Sequence, residues 1–227
     1  MDKNVKLSGA SRGPITGGKP EQLVIMAHGV GADGNDLINL ANYFEKVLPN
    51  AIFVAPNAPE TFDGGPPGYQ WFSLSDPSYD QKLKGLRNAS KIFNQFIDDQ
   101  LAATGLSEKE TALVGFSQGT MLALWSGLRR PRKLAGILGF SGALIGDTEL
   151  LTELKSKPPV LLIHGQADSV VPFDAMEQAL NTLRNLGVKA EGLARPEVGH
   201  NLDDDGIKAG MFFLADCFDI DLQSLRR

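Results

Sequence analysis

One serine in this 227-residue chain stands where a nucleophile would be made. Gly115-Phe116-Ser117-Gln118-Gly119 follows the apolar run Thr111–Phe116 and precedes a helical pattern starting at Thr120. That is the strand–turn–helix setting of a G-x-S-x-G elbow. A serine at the tip of so sharp a turn is strained, and side chains two positions away on either side would collide. Gly115 and Gly119 remove them. A hydroxyl is a weak nucleophile near neutral pH, so it needs a base, and the base needs an acid to orient it. The chain has three histidines. His28 and His164 close apolar runs and read as turn-stabilising residues. His200, in the loop Glu197-Val198-Gly199-His200-Asn201-Leu202, follows the nucleophile and is free to swing toward it. Asp168, in His164-Gly165-Gln166-Ala167-Asp168-Ser169-Val170-Val171-Pro172, is the expected acid. Each gap along Ser117, Asp168 and His200 leaves room for one strand–helix unit. Among rival acids, Asp174 reads as a helix start. The run Asp203-Asp204-Asp205 reads as negative charge at a helix N-terminus.

Acyl transfer also needs backbone N–H groups aimed at the oxyanion. One donor is expected from Gln118, the residue after the nucleophile, and the other from Val30 in the early glycine-rich loop. That loop, His28-Gly29-Val30-Gly31-Ala32-Asp33-Gly34, also satisfies G-x-G-x-x-G between a strand and a helix. A dinucleotide-binding oxidoreductase is therefore one alternative. It lacks the acid expected ~20 residues on for a ribose: the next strand ends Val54-Ala55-Pro56-Asn57, with no carboxylate before Glu60. A non-catalytic binding protein on the same scaffold is the other alternative. The presence of all three triad residue types in the required order argues against it.

The positioning elements follow from periodicity. Leu23–Ala27, Ala51–Ala55, Thr111–Phe116, Leu134–Phe140, Val160–His164 and Val188–Ala194 are short apolar runs, mostly without polar alternation, as expected of strands covered on both faces. Between them, Asp36–Val47, Tyr79–Ala103, Thr120–Leu128, Asp174–Leu186 and Ile207–Phe218 carry apolar residues at helical spacing. Strand–helix alternation predicts a mostly parallel, doubly wound α/β sheet with helices on both faces. The whole of residues 1–227 is expected to form one domain. Val5–Leu7 reads as an early strand and Gly9–Pro20 as a loop. Asn57–Pro77, rich in proline and glycine, is the longest stretch without periodicity and is expected to be a lid or binding loop. Its Trp71-Phe72 pair reads as exposed aromatics that need a cover, whether substrate or a second copy in a homodimer.

Composition narrows the classes. Glycine, at 25 of 227, is well above the usual ~7% and is spread along the chain, which implies many tight turns. Twenty-two Lys and Arg against 27 Asp and Glu give a net charge of −5, which disfavours nucleic acid as a partner. The densest basic patch, Arg129 to Lys133, reads as a helix end. A single cysteine, Cys217, excludes an internal disulfide and reads as a small core residue, as do Met176 and Met211. Met1 to Pro20 has no apolar stretch typical of a signal peptide, and no run approaches the ~18 residues of a membrane helix. The expectation is a cytoplasmic protein without integral membrane association.

Taken together, G-F-S-Q-G, the early H-G-x-G-x-D-G loop, W-F at Trp71-Phe72, H-G-x-x-D-x-V-V-P and the late Gly199-His200 resemble the phospholipase/carboxylesterase group of α/β-hydrolases, which includes acyl-protein thioesterases. The resemblance runs from about Leu23 to Phe213. It implies an α/β-hydrolase fold without a large cap domain, and hydrolysis of carboxylic esters or thioesters through an acyl-enzyme. It implies no metal or organic cofactor. It places the nucleophile, acid and base on Ser117, Asp168 and His200, the oxyanion donors on Val30 and Gln118, and an acyl groove beside Trp71 and Phe72. Val171 and Leu202 flank the catalytic elements and are expected to border the substrate. Thr120, after the elbow, stands where the family often has glycine, and Ser73 where aspartate is common. Short-chain esters, lysophospholipids and acyl thioesters all present a suitable carbonyl.

Overall fold

The computed structural model of the protein describes residues 6–221. Its centre is a seven-stranded sheet. In chain order the strands are β1 (Gly9–Arg12), β2 (Gln22–Ala27), β3 (Ala51–Pro56), β6 (Thr111–Phe116), β7 (Gly136–Phe140), β8 (Val160–Gly165) and β9 (Ala190–Arg195). A separate two-stranded ribbon joins β4 (Glu60–Thr61) to β5 (Tyr69–Gln70). The spatial order of the large sheet is β1-β3-β2-β6-β7-β8-β9, with only β1 antiparallel to its neighbour.

The interior strands read as continuous apolar runs because both faces are covered. Along β2, Leu23, Ile25 and Ala27 enter one core while Val24 and Met26 enter the other. The first core holds α3 (Tyr79–Thr104), α4 (Gln118–Arg129) and α6 (Asp174–Asn185), through residues such as Phe93, Leu122 and Leu180. The second holds α1 (Gly34–Leu37), α2 (Ala41–Phe44) and α7 (Asp204–Cys217), through Leu37, Phe44 and Leu214. A short α5 (Asp147–Glu153), not expected from periodicity, precedes β8. The basic segment after α4 does not form a free patch: Arg130 is buried and pairs with Glu108 and Asp98. Among the described residues no helix is long and apolar enough to cross a membrane.

Several boundaries differ from the sequence reading. The first strand is Gly9–Arg12, inside the stretch read as a loop, while Leu7 lies outside any strand and Val5 lies outside the described residues. β1 is a mostly exposed edge, so it carries no apolar run to mark it. β9 is the other edge, with Glu191 and Gly192 exposed, rather than a strand covered on both faces. The helix expected over Asp36–Val47 is broken into α1, a 3₁₀ turn at Ile38–Leu40 and α2. Asn side chains bond the local carbonyls: Asn39 donates to Asn35 O at 3.0 Å, and Asn42 to Asn39 O at 3.0 Å. Such bonds compete with regular helix. Cys217 is half-buried, and burial pushes its thiol up to about 12.

Candidate active site

β6 ends at Phe116 and α4 begins at Gln118, so Ser117 alone makes the turn. Its backbone sits at φ 52°, ψ −117°, a conformation that costs a non-glycine residue on the order of 1–3 kcal/mol. The turn is held open by what surrounds it. A Cβ at Gly115 would lie 2.5 Å from Thr120 Cα, and one at Gly119 would run into the Ala27 carbonyl. Ser117 N–H donates to Phe140 O at 2.9 Å, and Thr120 Oγ1 donates to the same oxygen at 2.8 Å. Thr120, the departure from the family pattern, thus anchors the elbow to β7. Ser117 Oγ makes no hydrogen bond among the described residues.

The loops after β8 and β9 bring Asp168 and His200 together: His200 Nδ1 lies 2.8 Å from Asp168 Oδ2. With Nδ1 engaged, Nε2 is the ring nitrogen left for proton transfer. The imidazole leans on Phe116, the residue before Ser117, with ring centroids 5.1 Å apart. Asp168 is enclosed, and its other oxygen accepts the Val170 and Val171 amides at 2.8 and 2.9 Å. Burial by itself would raise this carboxyl. The bonds from His200, Val171 and Val170 outweigh it and hold the pKa below the ordinary aspartate value.

His164, read as a turn residue, does more than close a strand. Its Nε2 lies 2.9 Å from Val171 O and 3.2 Å from Asp168 Oδ2. A nitrogen facing two acceptors must carry the proton. His164 donates that proton to the Val171 carbonyl, and its Nε2 lies against, without bonding, the carboxylate oxygen that orients His200. Sequence reasoning did not find this role, because a histidine closing a strand carries no mark of the partner it will meet. Val171, expected to border substrate, is buried and serves Asp168 and His164 through its backbone. Leu202 is half-buried beside Phe116.

The early loop carries Val30. Val30 and Gln118 amides find no acceptor among the described residues, as oxyanion donors require. The loop is stitched to the ribbon strand β5 by Gly31 N–H to Tyr69 O at 2.8 Å and Tyr69 N–H to Ala32 O at 2.9 Å. Asp33 caps the single helical turn that follows. So short a helix lacks the dipole of a dinucleotide fingerprint.

Trp71 and Phe72 are not an exposed pair. Each is 1% accessible, which removes them as a lid tip or a dimer face. Their backbone grips Gln118 instead: Trp71 N–H donates to Gln118 Oε1 at 2.8 Å, and Gln118 Nε2 donates to Phe72 O at 2.7 Å. Trp71 Nε1 donates to His28 O at 2.9 Å. His28 in turn accepts the Ala58 amide on Nε2 and faces Gly29 O with Nδ1, so Nδ1 carries its proton. Burial lowers the His28 pKa and outweighs the Gly29 carbonyl, which raises it. The aromatic pair thus clamps the start of α4 to the end of β2.

A family model for phospholipase/carboxylesterase matches residues 15–218. The chain belongs to that family of α/β-hydrolases. It is 31% identical over 201 residues to acyl-protein thioesterase 1 of Schizosaccharomyces pombe, which covers 82% of this chain and 86% of that protein. Esterase YpfH of Escherichia coli is 26% identical, over 81% of this chain and 78% of that one. Among solved structures, esterase PE8 superposes with a TM-score of 0.90 at 42% identity, covering 94% of this chain and 100% of that one. The hydrolase is thus similar throughout to carboxylic ester hydrolases, and its activity is carboxylic ester hydrolysis.

Proposed function

We propose that the hydrolase cleaves short-chain carboxylic esters through a Ser117–His200–Asp168 triad and an acyl-enzyme. His200 Nε2 takes the Ser117 proton as the hydroxyl attacks the ester carbonyl. Asp168 holds the ring and stabilises the imidazolium. The Val30 and Gln118 amides receive the oxyanion. His200 then returns its proton to the departing alkoxide, and the C–O bond of the ester breaks. Water, deprotonated by the same imidazole, attacks the acyl-enzyme and frees the acid and Ser117.

The observation that carries this reading is the 2.8 Å bond from His200 to the enclosed Asp168, with the imidazole resting on the residue next to the strained serine. Hydrogen bonds to a nucleophile are often long before substrate binds and tighten in the complex, so a free Ser117 Oγ is compatible with it. The buried Trp71-Phe72 pair leaves no long acyl groove on that side, which favours short esters over lysophospholipids and long-chain acyl thioesters. The test is a burst assay with short-chain p-nitrophenyl esters. The parent should release a burst of nitrophenol and then turn over. Ser117→Ala should show no burst and lose most of its turnover. Turnover unchanged in Ser117→Ala would sink the nucleophile assignment.

A further inference from the structure

Beside the elbow, on the α1–α2 side of the sheet, lies an open apolar recess of about 280 Å³. Its walls are Ala32, Leu37, Leu40, Tyr43, Phe116 and Leu202. Two observations tie it to the reacting centre. Phe116 precedes Ser117 and carries the His200 ring, while Leu202 and Asn201 directly follow His200. Gly29 also faces the recess, and a Cβ there would stand 3.0 Å from Phe116 Cδ1 and 3.4 Å from Ser117 Cβ, between the recess and the nucleophile. Glycine keeps that space free of a side chain. A second feature points to an apolar occupant: Tyr43 is 37% accessible, a large aromatic left at the mouth. A bigger cleft between α3 and α4 does not compete for this role. It is lined by Lys84, Arg87, Lys91 and Arg129, with none of the catalytic loops among its walls.

We propose that this recess binds the apolar alcohol arm of the ester, and that Leu40 and Tyr43 set the size it admits. The inference rests on the Ser117–His200 reading. His200 must hand its proton to the leaving oxygen, so the alcohol is directed to the imidazole side, where the recess lies. The volume sits just below the range of ~300–1,000 Å³ for pockets that hold drug-sized ligands. The fitting groups are compact, such as a butyl or benzyl arm. Leu40 forms the inner wall at 5% accessibility, and Tyr43 the outer.

The test compares kcat/KM for methyl, butyl and benzyl acetate, and for methyl acetate, butyrate and hexanoate, in the parent, Leu40→Trp and Tyr43→Ala. The parent should prefer butyl and benzyl acetate over methyl acetate. Leu40→Trp should lower the benzyl-to-methyl ratio by about tenfold or more, the scale on which a hydrophobic pocket discriminates size. Tyr43→Ala should shift the ratios toward larger alcohols, and because Tyr43 is exposed, this variant carries the test if Leu40→Trp does not fold. The acyl-series ratios should stay within about twofold. Alcohol ratios that stay put in both variants would overturn the proposal, and so would a shift in the acyl series instead. Ser117→Ala separates the two ideas: full methyl acetate hydrolysis in that variant would indict the catalytic reading, whatever the ratios do.

Discussion

At the residue scale, the acid is the most heavily committed group in the site. Asp168 accepts two amides on one oxygen and the His200 imidazole on the other, with His164 Nε2 3.2 Å away. Its pKa is depressed in the folded protein, so the stability it adds is present above its unfolded value of 3.8 and is lost as pH falls through the lower folded value. Denaturant midpoints of the parent and Asp168→Asn should therefore differ above that range and converge in strong acid. An unchanged gap across the acid range would contradict the assignment. His164 is a positioning residue that acts on this carboxylate through Val171, whose carbonyl meets His164 and whose amide bonds Asp168. His164→Ala removes the buried donor to the Val171 carbonyl and should cost about 1–3 kcal/mol in denaturant unfolding. It should also lower kcat more than it raises KM, with partial recovery in His164→Gln, whose amide restores a donor. Equal kcat in parent and His164→Ala would leave His164 with a packing role only.

At the scale of elements, the oxyanion machinery depends on two segments that the ribbon holds in register. Gln118 links the start of α4 to the backbone at Trp71 and Phe72, and Trp71 links that segment to the end of β2. Gln118→Ala keeps the amide proposed to receive the oxyanion but frees the clamp. It should lower kcat by less than the ~10²–10³ expected for a lost donor, with KM changing little. Steady-state kinetics on a short ester decides this, and unaltered kcat would show that the clamp does not position the donor. The elbow itself tolerates no bulk. Gly119→Ala drives a Cβ into the Ala27 carbonyl and should destabilise by at least the ~1–3 kcal/mol typical of overpacking. A thermal melt equal to that of the parent would contradict this.

At the scale of the whole molecule, what the sequence disclosed follows burial. β2, β3, β6, β7 and β8 lie between two layers of helices, so their apolar runs announced them. α3 and α6 each bury one face against a single core and were legible from spacing. The edges were not: β1 needs no apolar residues where water covers it, and its close approach at Gly9 is written only in a glycine. Asn39 and Asn42 broke a helix that the leucine spacing promised, because their side-chain amides bonded the carbonyls first. Residue type and chain order singled out Ser117, Asp168 and His200, and the structure puts Asp168 and His200 2.8 Å apart on separate loops at the carboxyl rim of the sheet. Contact partners were not legible: nothing in Trp71-Phe72 says whether a proline-rich loop turns its aromatics out or in, and nothing in His164 says which carboxylate it meets. The buried Arg130–Glu108 pair, 3.1 Å apart, belongs to this scale too, tying the segment after α4 to the entry of β6. Glu108→Ala leaves Arg130 with Asn94 and the exposed Asp98 as partners and should cost about 1–3 kcal/mol in denaturant unfolding.

The account turns on His200 activating Ser117. The most direct measurement is the rate at which a fluorophosphonate labels Ser117, followed by peptide mass spectrometry in the parent and in His200→Ala. The account predicts labelling confined to Ser117 and slowed by about three orders of magnitude or more without the imidazole, in line with the large losses seen when one member of such a triad is removed. Labelling of Ser117 at the parent rate in His200→Ala, or labelling of a different residue in the parent, would contradict it.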